Sequence, residues 1–158
     1  MTITKILGID PGLSKTGWGL ILLNRGQQLY LDCGSIHTST GEQLPNRLLE
    51  IFNSIKELVL IHQPDFVALE ETYVNTNSKS SLHLAHARAA AMLAIAQCNL
   101  TIIPYQAKTV KKVVTGNGGA DKEQVAKMLK LRLNGLDKTN DKDAIDALAL
   151  AFCHSNYI

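Results

Sequence analysis

The chain has 158 residues, about the length of one domain, so a single unit over 1–158 is expected. Hydrophobic residues make up 46% and charged residues 19%, which argues against a disordered chain. No apolar run approaches the ~20 residues of a membrane span, and the length leaves no room for a fold of two full-sized lobes. Residues 1–10 include Lys5 and lead into no small-residue cleavage site, so they do not read as a signal peptide. Cys33, Cys98 and Cys153 are odd in number and widely spaced, and no C-x-x-C pair is present. They suit reduced, mostly buried thiols and a cytoplasmic location. The net charge is only +2, but its distribution is uneven. Residues 106–132 carry seven basic side chains against two acidic ones, leaving the remainder at −3. A basic block beside an acidic remainder suits a polyanion partner or an ordinary solvated helix face.

Residues 3–10 form a short Ile-rich run that stops at Asp10-Pro11-Gly12, which predicts a buried strand. Residues 16–23 and 29–37 are the next strands, with Asn24-Arg25-Gly26 as a hairpin turn. Leu44, Leu48, Phe52, Ile55 and Val59 recur at steps of three and four, which predicts an amphipathic helix. Residues 66–70 (FVALE) read as another buried strand, 75–80 as a polar loop, and 81–97 as an Ala-rich helix. That helix has Leu82, Ala85, Ala89, Leu93 and Ala96 on one face. A strand over 101–105 follows. Three helices then cover about 106–114, 121–131 and 141–153, the second capped by Asp121. The order βββαβαβααα fits a mixed sheet with helices packed on it.

The acids stand out. Asp10 ends one apolar strand and Glu70 another, so parallel neighbouring strands would release both at one edge. Asp143 and Asp146 lie three apart on the last helix and share a face with Ala147 and Leu150. Each acid alone has a plainer reading: Asp10 as a turn residue, Glu70 as a solvated strand end, Asp143 as an exposed helix acid. Glu71 should point away from Glu70, and Asp141 suits the opening of a helix. Together, carboxylates crowded in one place repel one another unless a cation sits among them. An all-oxygen set suits Mg²⁺ or Mn²⁺, and two such ions can hold a phosphodiester for in-line attack. The lysines of 106–132 would then meet phosphate. His83 and His86 share a helix face and read as polar edge residues. The Gly116–Gly119 stretch lacks the spacing of a nucleotide-binding loop.

Gly8-Ile-Asp10-Pro-Gly12 followed by Thr16-Gly-Trp-Gly19 resembles the opening of RuvC-type Holliday-junction resolvases. So do Ala68-Leu-Glu70-Glu-Thr-Tyr73, Ala85-His-Ala-Arg88, Val110-Lys111 with Thr115-Gly116, and Asp143-Ala-Ile-Asp146-Ala-Leu-Ala149. The motifs fall in family order across residues 5–154. The resemblance implies an α/β, ribonuclease-H-like fold with a five-stranded mixed sheet flanked by helices. It implies a Mg²⁺-dependent endodeoxyribonuclease, with Mn²⁺ as substitute and two ions per subunit, that resolves four-way DNA junctions by paired nicks leaving 5′-phosphates. Asp10, Glu70, Asp143 and Asp146 match the metal-binding catalytic acids. Lys111 and Lys122 match lysines at the scissile phosphate, and Lys108 a further DNA contact. Tyr73 stands where the family more often has Phe as the base-contacting aromatic, and Ala89 where Gly is usual. The implied partners are junction DNA, a second copy of the chain, and the junction-binding protein and branch-migration ATPase RuvA and RuvB. A non-catalytic junction-binding protein and a nuclease acting on RNA–DNA hybrids are the alternatives. A nucleotide-binding relative of actin is disfavoured by length.

Overall fold

A computed structural model of the chain describes residues 2–72, 78–136 and 139–158. In chain order the elements are β1 (Thr4–Asp10), β2 (Lys15–Asn24), β3 (Gln27–His37), α1 (Leu44–His62), β4 (Phe66–Glu70) and α2 (Ser78–Gln97). They continue with β5 (Ile102–Tyr105), α3 (Ala107–Thr115), α4 (Lys122–Arg132) and α5 (Lys142–Ser155). The strands form one mixed sheet in the order β3-β2-β1-β4-β5. The β1–β2 and β2–β3 pairs are antiparallel, while the β1–β4 and β4–β5 pairs are parallel. The expected element order and five-stranded mixed sheet are both observed. β2 and β3 are joined by Arg25 and Gly26, with φ of 50° and 80°; two successive left-handed residues are what a type I′ hairpin turn requires.

Strand alternation sends successive side chains to opposite faces, and the sheet has a core on each. Leu7, Ile9, Leu20, Val67 and Leu69 pack under α1 and α2. Ile6, Ile21 and Ala68 pack on the opposite side with α3, α4 and α5. Helix α5 is the centre of that second layer, and every residue from Ala147 to Ser155 is buried. It lies on a floor of glycines. A Cβ at Gly8 would fall 1.9 Å from the Ala147 carbonyl oxygen, and one at Gly17 would fall 2.0 Å from the Asp143 carbonyl oxygen. At these positions backbone meets backbone, so only glycine fits.

Two expectations are adjusted. The helix predicted from residue 81 begins at Ser78, so residues 78–80 of the expected loop are helical; Ser and Lys are tolerated in a first turn, and polarity alone did not mark a loop there. The three thiols are free, but only Cys153 is fully buried; Cys33 and Cys98 are partly exposed. No helix among the described residues is long and apolar enough to cross a membrane.

Replacing Gly8 by Ala is expected to destabilise the fold by at least roughly 1–3 kcal/mol, the usual penalty for overpacking, because the obstructing atoms are backbone. Urea unfolding should show the midpoint falling with the slope unchanged; an unaltered midpoint would mean that α5 does not rest on this floor.

Candidate active site

The parity that sends Ile6 and Gly8 towards α5 also sends Asp10 there, and the parity of Ala68 sends Glu70 to the same side. Ile9 is paired with Leu69 in parallel register, so Asp10 and Glu70 leave adjacent strands at one level. Helix α5 crosses above them and supplies Asp146. From the other side come Lys111, on α3, and Lys122, the first residue of α4. Helix α4 opens with a capping box in which Asp121 accepts from the Gln124 backbone N–H at 2.8 Å and Gln124 accepts from that of Asp121 at 2.9 Å. Asp10, Glu70, Asp146, Lys111 and Lys122 line one cleft of about 240 Å³.

The charges in this cleft are unbalanced. Burial, then the nearby carboxylates of Glu70 and Asp146, push the Asp10 carboxyl up to about 7 from its ordinary 3.8; Lys122 opposes the shift and Asp143 adds to it. Glu70 is raised by burial and by Asp146, against the pull of Lys122, Lys111 and Arg88. The Lys122 ammonium donates to Asp146 Oδ2 at 2.7 Å, and this bond raises the lysine's own pKa. The Lys122 side chain is 79% exposed, so the pair is weakly held and a phosphate can compete for the ammonium.

The donor set is all oxygen, with neither His nor Cys lining the cleft, which fits a hard divalent cation. Among the described residues no three acids yet stand close enough to ligate one ion. Lys122, bonded to Asp146, and Lys111 share the cleft with the acids.

The sequence-predicted residues divide as follows. Asp10, Glu70, Asp146, Lys111 and Lys122 are brought together. Asp143 does not line the cleft, although it is close enough to raise Asp10. Lys108 lies outside it on the exposed side of α3, against Gly118. Tyr73 lies outside the described residues. Asp141 is the N-cap of α5, as its position suggested, and accepts from the backbone N–H groups of Asp143 and Ala144 at 3.1 and 3.3 Å. Sequence reasoning noted Arg88 only as part of a motif. Its guanidinium donates to the Glu70 backbone carbonyl at 2.6 Å and so braces the end of β4. Nothing in the local sequence signals that contact, because the two residues sit on different elements.

The raised pKa has a stability consequence. Asp10 favours the protonated form when folded, so its contribution is intact below about pH 4 and is lost as pH rises through about 7. Asp10→Asn should therefore raise the metal-free melting temperature at pH 8, by roughly 2–4 °C for each kcal/mol recovered. The gain should shrink steadily towards pH 4. A pH-independent effect, or a lower melting temperature at pH 8, would show that Asp10 carries no such repulsion.

Residues 6–154 match the sequence profile of the family described as crossover junction endodeoxyribonuclease RuvC. A protein of that name from Maricaulis maris is 46% identical over 153 residues, covering 97% of this chain and 91% of the relative. Another, from Legionella pneumophila (strain Lens), is 43% identical over 154 residues, covering 98% and 88%. Among solved structures, T. thermophilus RuvC in complex with Holliday junction substrate aligns with a TM-score of 0.89 at 28% identity, over 98% of this chain and 94% of that one. With its ribonuclease-H-like sheet and matches spanning nearly its whole length, the chain belongs to the RuvC family of crossover junction endodeoxyribonucleases.

Proposed function

We propose that this chain resolves four-way DNA junctions by paired symmetric nicks during recombination and repair, with Asp10, Glu70, Asp143 and Asp146 as the acids of its cutting centre. One observation carries the assignment of the centre: Asp10, pushed up to about 7 by burial and its acidic neighbours, shares a cleft with Glu70, Asp146 and two lysines. A buried, self-repelling set of acids costs stability and is kept where a site needs it. Mg²⁺, or Mn²⁺ in its place and with two ions per subunit as the resemblance implies, supplies Lewis acidity and activates water for phosphodiester hydrolysis. The acids hold that charge in place. Lys111 and Lys122 stand across the cleft and offset charge on the phosphate under attack. Asp146 would help hold the cation, and Lys122, paired with Asp146 here, would then be available to the phosphate. Lys108 extends the basic surface along the DNA backbone, and Tyr73 stacks on bases at the crossover. The products are a 5′-phosphate and a 3′-hydroxyl. The whole of residues 1–158 acts as one nuclease domain, in the cytoplasm.

Paired cuts call for two-fold symmetry, and α2 supports a homodimer. It is apolar on both sides. Ala87, Ala90, Ala91, Ala94 and Ile95 are buried in the core, while Leu82, Met92 and Leu93 are 56%, 41% and 64% exposed. A second copy of this helix is the occupant that matches the exposed stripe. The RuvA- and RuvB-type proteins join this reading as partners by resemblance alone.

A synthetic four-way junction, a linear duplex and an RNA–DNA hybrid, each incubated with and without Mg²⁺, test the proposal. The junction should be cut, in symmetric pairs and only with metal. Asp10→Asn should abolish cutting while junction binding persists, and Lys111→Ala should slow it roughly 100-fold. Preferential cutting of the hybrid, or an active Asp10→Asn protein, would overturn the reading. For the dimer, Leu93→Glu should sediment as a monomer and lose coordinated double nicking. A monomeric unmodified protein that still makes paired cuts would exclude α2 as the seam.

A further inference from the structure

Asp10, Gly17 and Ser35 form one row across three strands. Asp10 is the register partner of Gly17 in the β1–β2 pair, and Gly17 is the partner of Ser35 in the β2–β3 pair. Residues directly opposite one another share a face, here the face covered by α5. The first turn of α5 lies across this row. Gly17 receives the Asp143 carbonyl at backbone contact. At the far end of the row the Ser35 hydroxyl donates to Asp141 Oδ2. The other carboxylate oxygen of Asp141 caps the N–H groups of Asp143 and Ala144. Thus one side chain ties the edge strand to the two residues that open the acid-bearing turn.

Helix α5 meets the sheet through the backbone of Asp143, Ala144, Ala147 and Ala151 on Gly8 and Gly17, and seats the Leu148 side chain on Gly19. This packing is apolar and does not by itself orient the first turn, which lies at the end of the helix away from the buried Phe152. Polar contacts hold it at its two ends. At the C-terminal end His154 Nδ1 and the Tyr105 hydroxyl are 2.7 Å apart, and at the N-terminal end Asp141 meets Ser35. We infer that Ser35 and Asp141 are positioning residues: their hydrogen bond fixes the first turn of α5 on the sheet and so the placement of Asp143 and Asp146 against Asp10. The inference rests on the reading of those three acids as the cutting centre. Neither Ser35 nor Asp141 lines the cleft, so they act through the helix. Misplacement of reacting groups by about 1 Å can cost on the order of 100-fold in rate, which is why a hook outside the cleft matters.

Ser35→Ala, Asp141→Ala and Asp141→Asn in the full chain test the idea through three readouts. These are single-turnover cutting of a synthetic junction, junction affinity in EDTA, and calorimetric titration of the DNA-free protein with Mn²⁺. Ser35→Ala and Asp141→Ala should slow cutting and weaken Mn²⁺ binding by roughly 10-fold or more, the usual effect of losing a support behind a metal ligand. Junction affinity should stay unchanged. Asp141→Asn keeps a capping oxygen and should cut near the unmodified rate, and the double Ala variant should be no worse than Asp141→Ala. Unmodified rates and Mn²⁺ affinity in Ser35→Ala would overturn the inference. So would an Asp141→Asn protein as slow as Asp141→Ala, which would point to charge, or a rate loss that tracks the unfolded fraction in melting curves. Failure of the unmodified chain to cut any junction would instead remove the functional reading beneath it.

Discussion

The close seating of α5 on the glycines of β1 and β2 is the contact on which the rest of this molecule depends. Backbone-to-backbone approach lets a helix run directly over the strand that ends in Asp10. Any side chain larger than hydrogen at Gly8 or Gly17 would lift the helix and separate Asp146 from Asp10 and Glu70. Packing and placement of the acids are therefore one problem. Small residues bring the helix close, Leu148 seats on Gly19, and polar contacts hold its two ends, Asp141 with Ser35 and His154 with Tyr105.

Crowding these acids has an electrostatic cost that the surrounding lysines only partly offset. Lys122 and Lys111 moderate Glu70, and Lys122 moderates Asp10, yet both acids remain raised. A site built only for stability would neutralise such acids or replace them with apolar residues. Leaving negative charge uncompensated inside a cleft, with one lysine held by a single exposed ion pair, suits a place where a cation and then a phosphate arrive.

The two Ala-rich helices show how similar composition serves different ends. Helix α5 is enclosed by the sheet on one side and by α3 and α4 on the other, so nearly all of it is buried. Helix α2 lies at the outside of the opposite layer. The stripe of Leu82, Ala85, Ala89, Leu93 and Ala96, read from the sequence as one helical face, is turned to solvent, while Ala87, Ala90, Ala91, Ala94 and Ile95 face the core. Periodicity identified the face correctly but carried no information on which of two apolar faces would meet the sheet.

Much was legible because it is local. Apolar runs, turn residues and helical spacing are short-range properties, and they marked ten elements, the Arg25–Gly26 turn and the caps at Asp121 and Asp141. The position of an acid at the end of an apolar strand is also local, which is why Asp10 and Glu70 stood out. Contacts between distant segments had no such signal: Lys122 on Asp146, Arg88 on the Glu70 carbonyl, Ser35 on Asp141, and the exclusion of Asp143 and Lys108 from the cleft itself. The sequence by itself determined which residues could do this chemistry and on which elements they ride, since those follow from residue type and period. Only the tertiary structure decided which of them meet, because strand register and the seating depth of one helix are set by packing between separate elements, in the case of α5 on β1 and β2 more than a hundred residues apart.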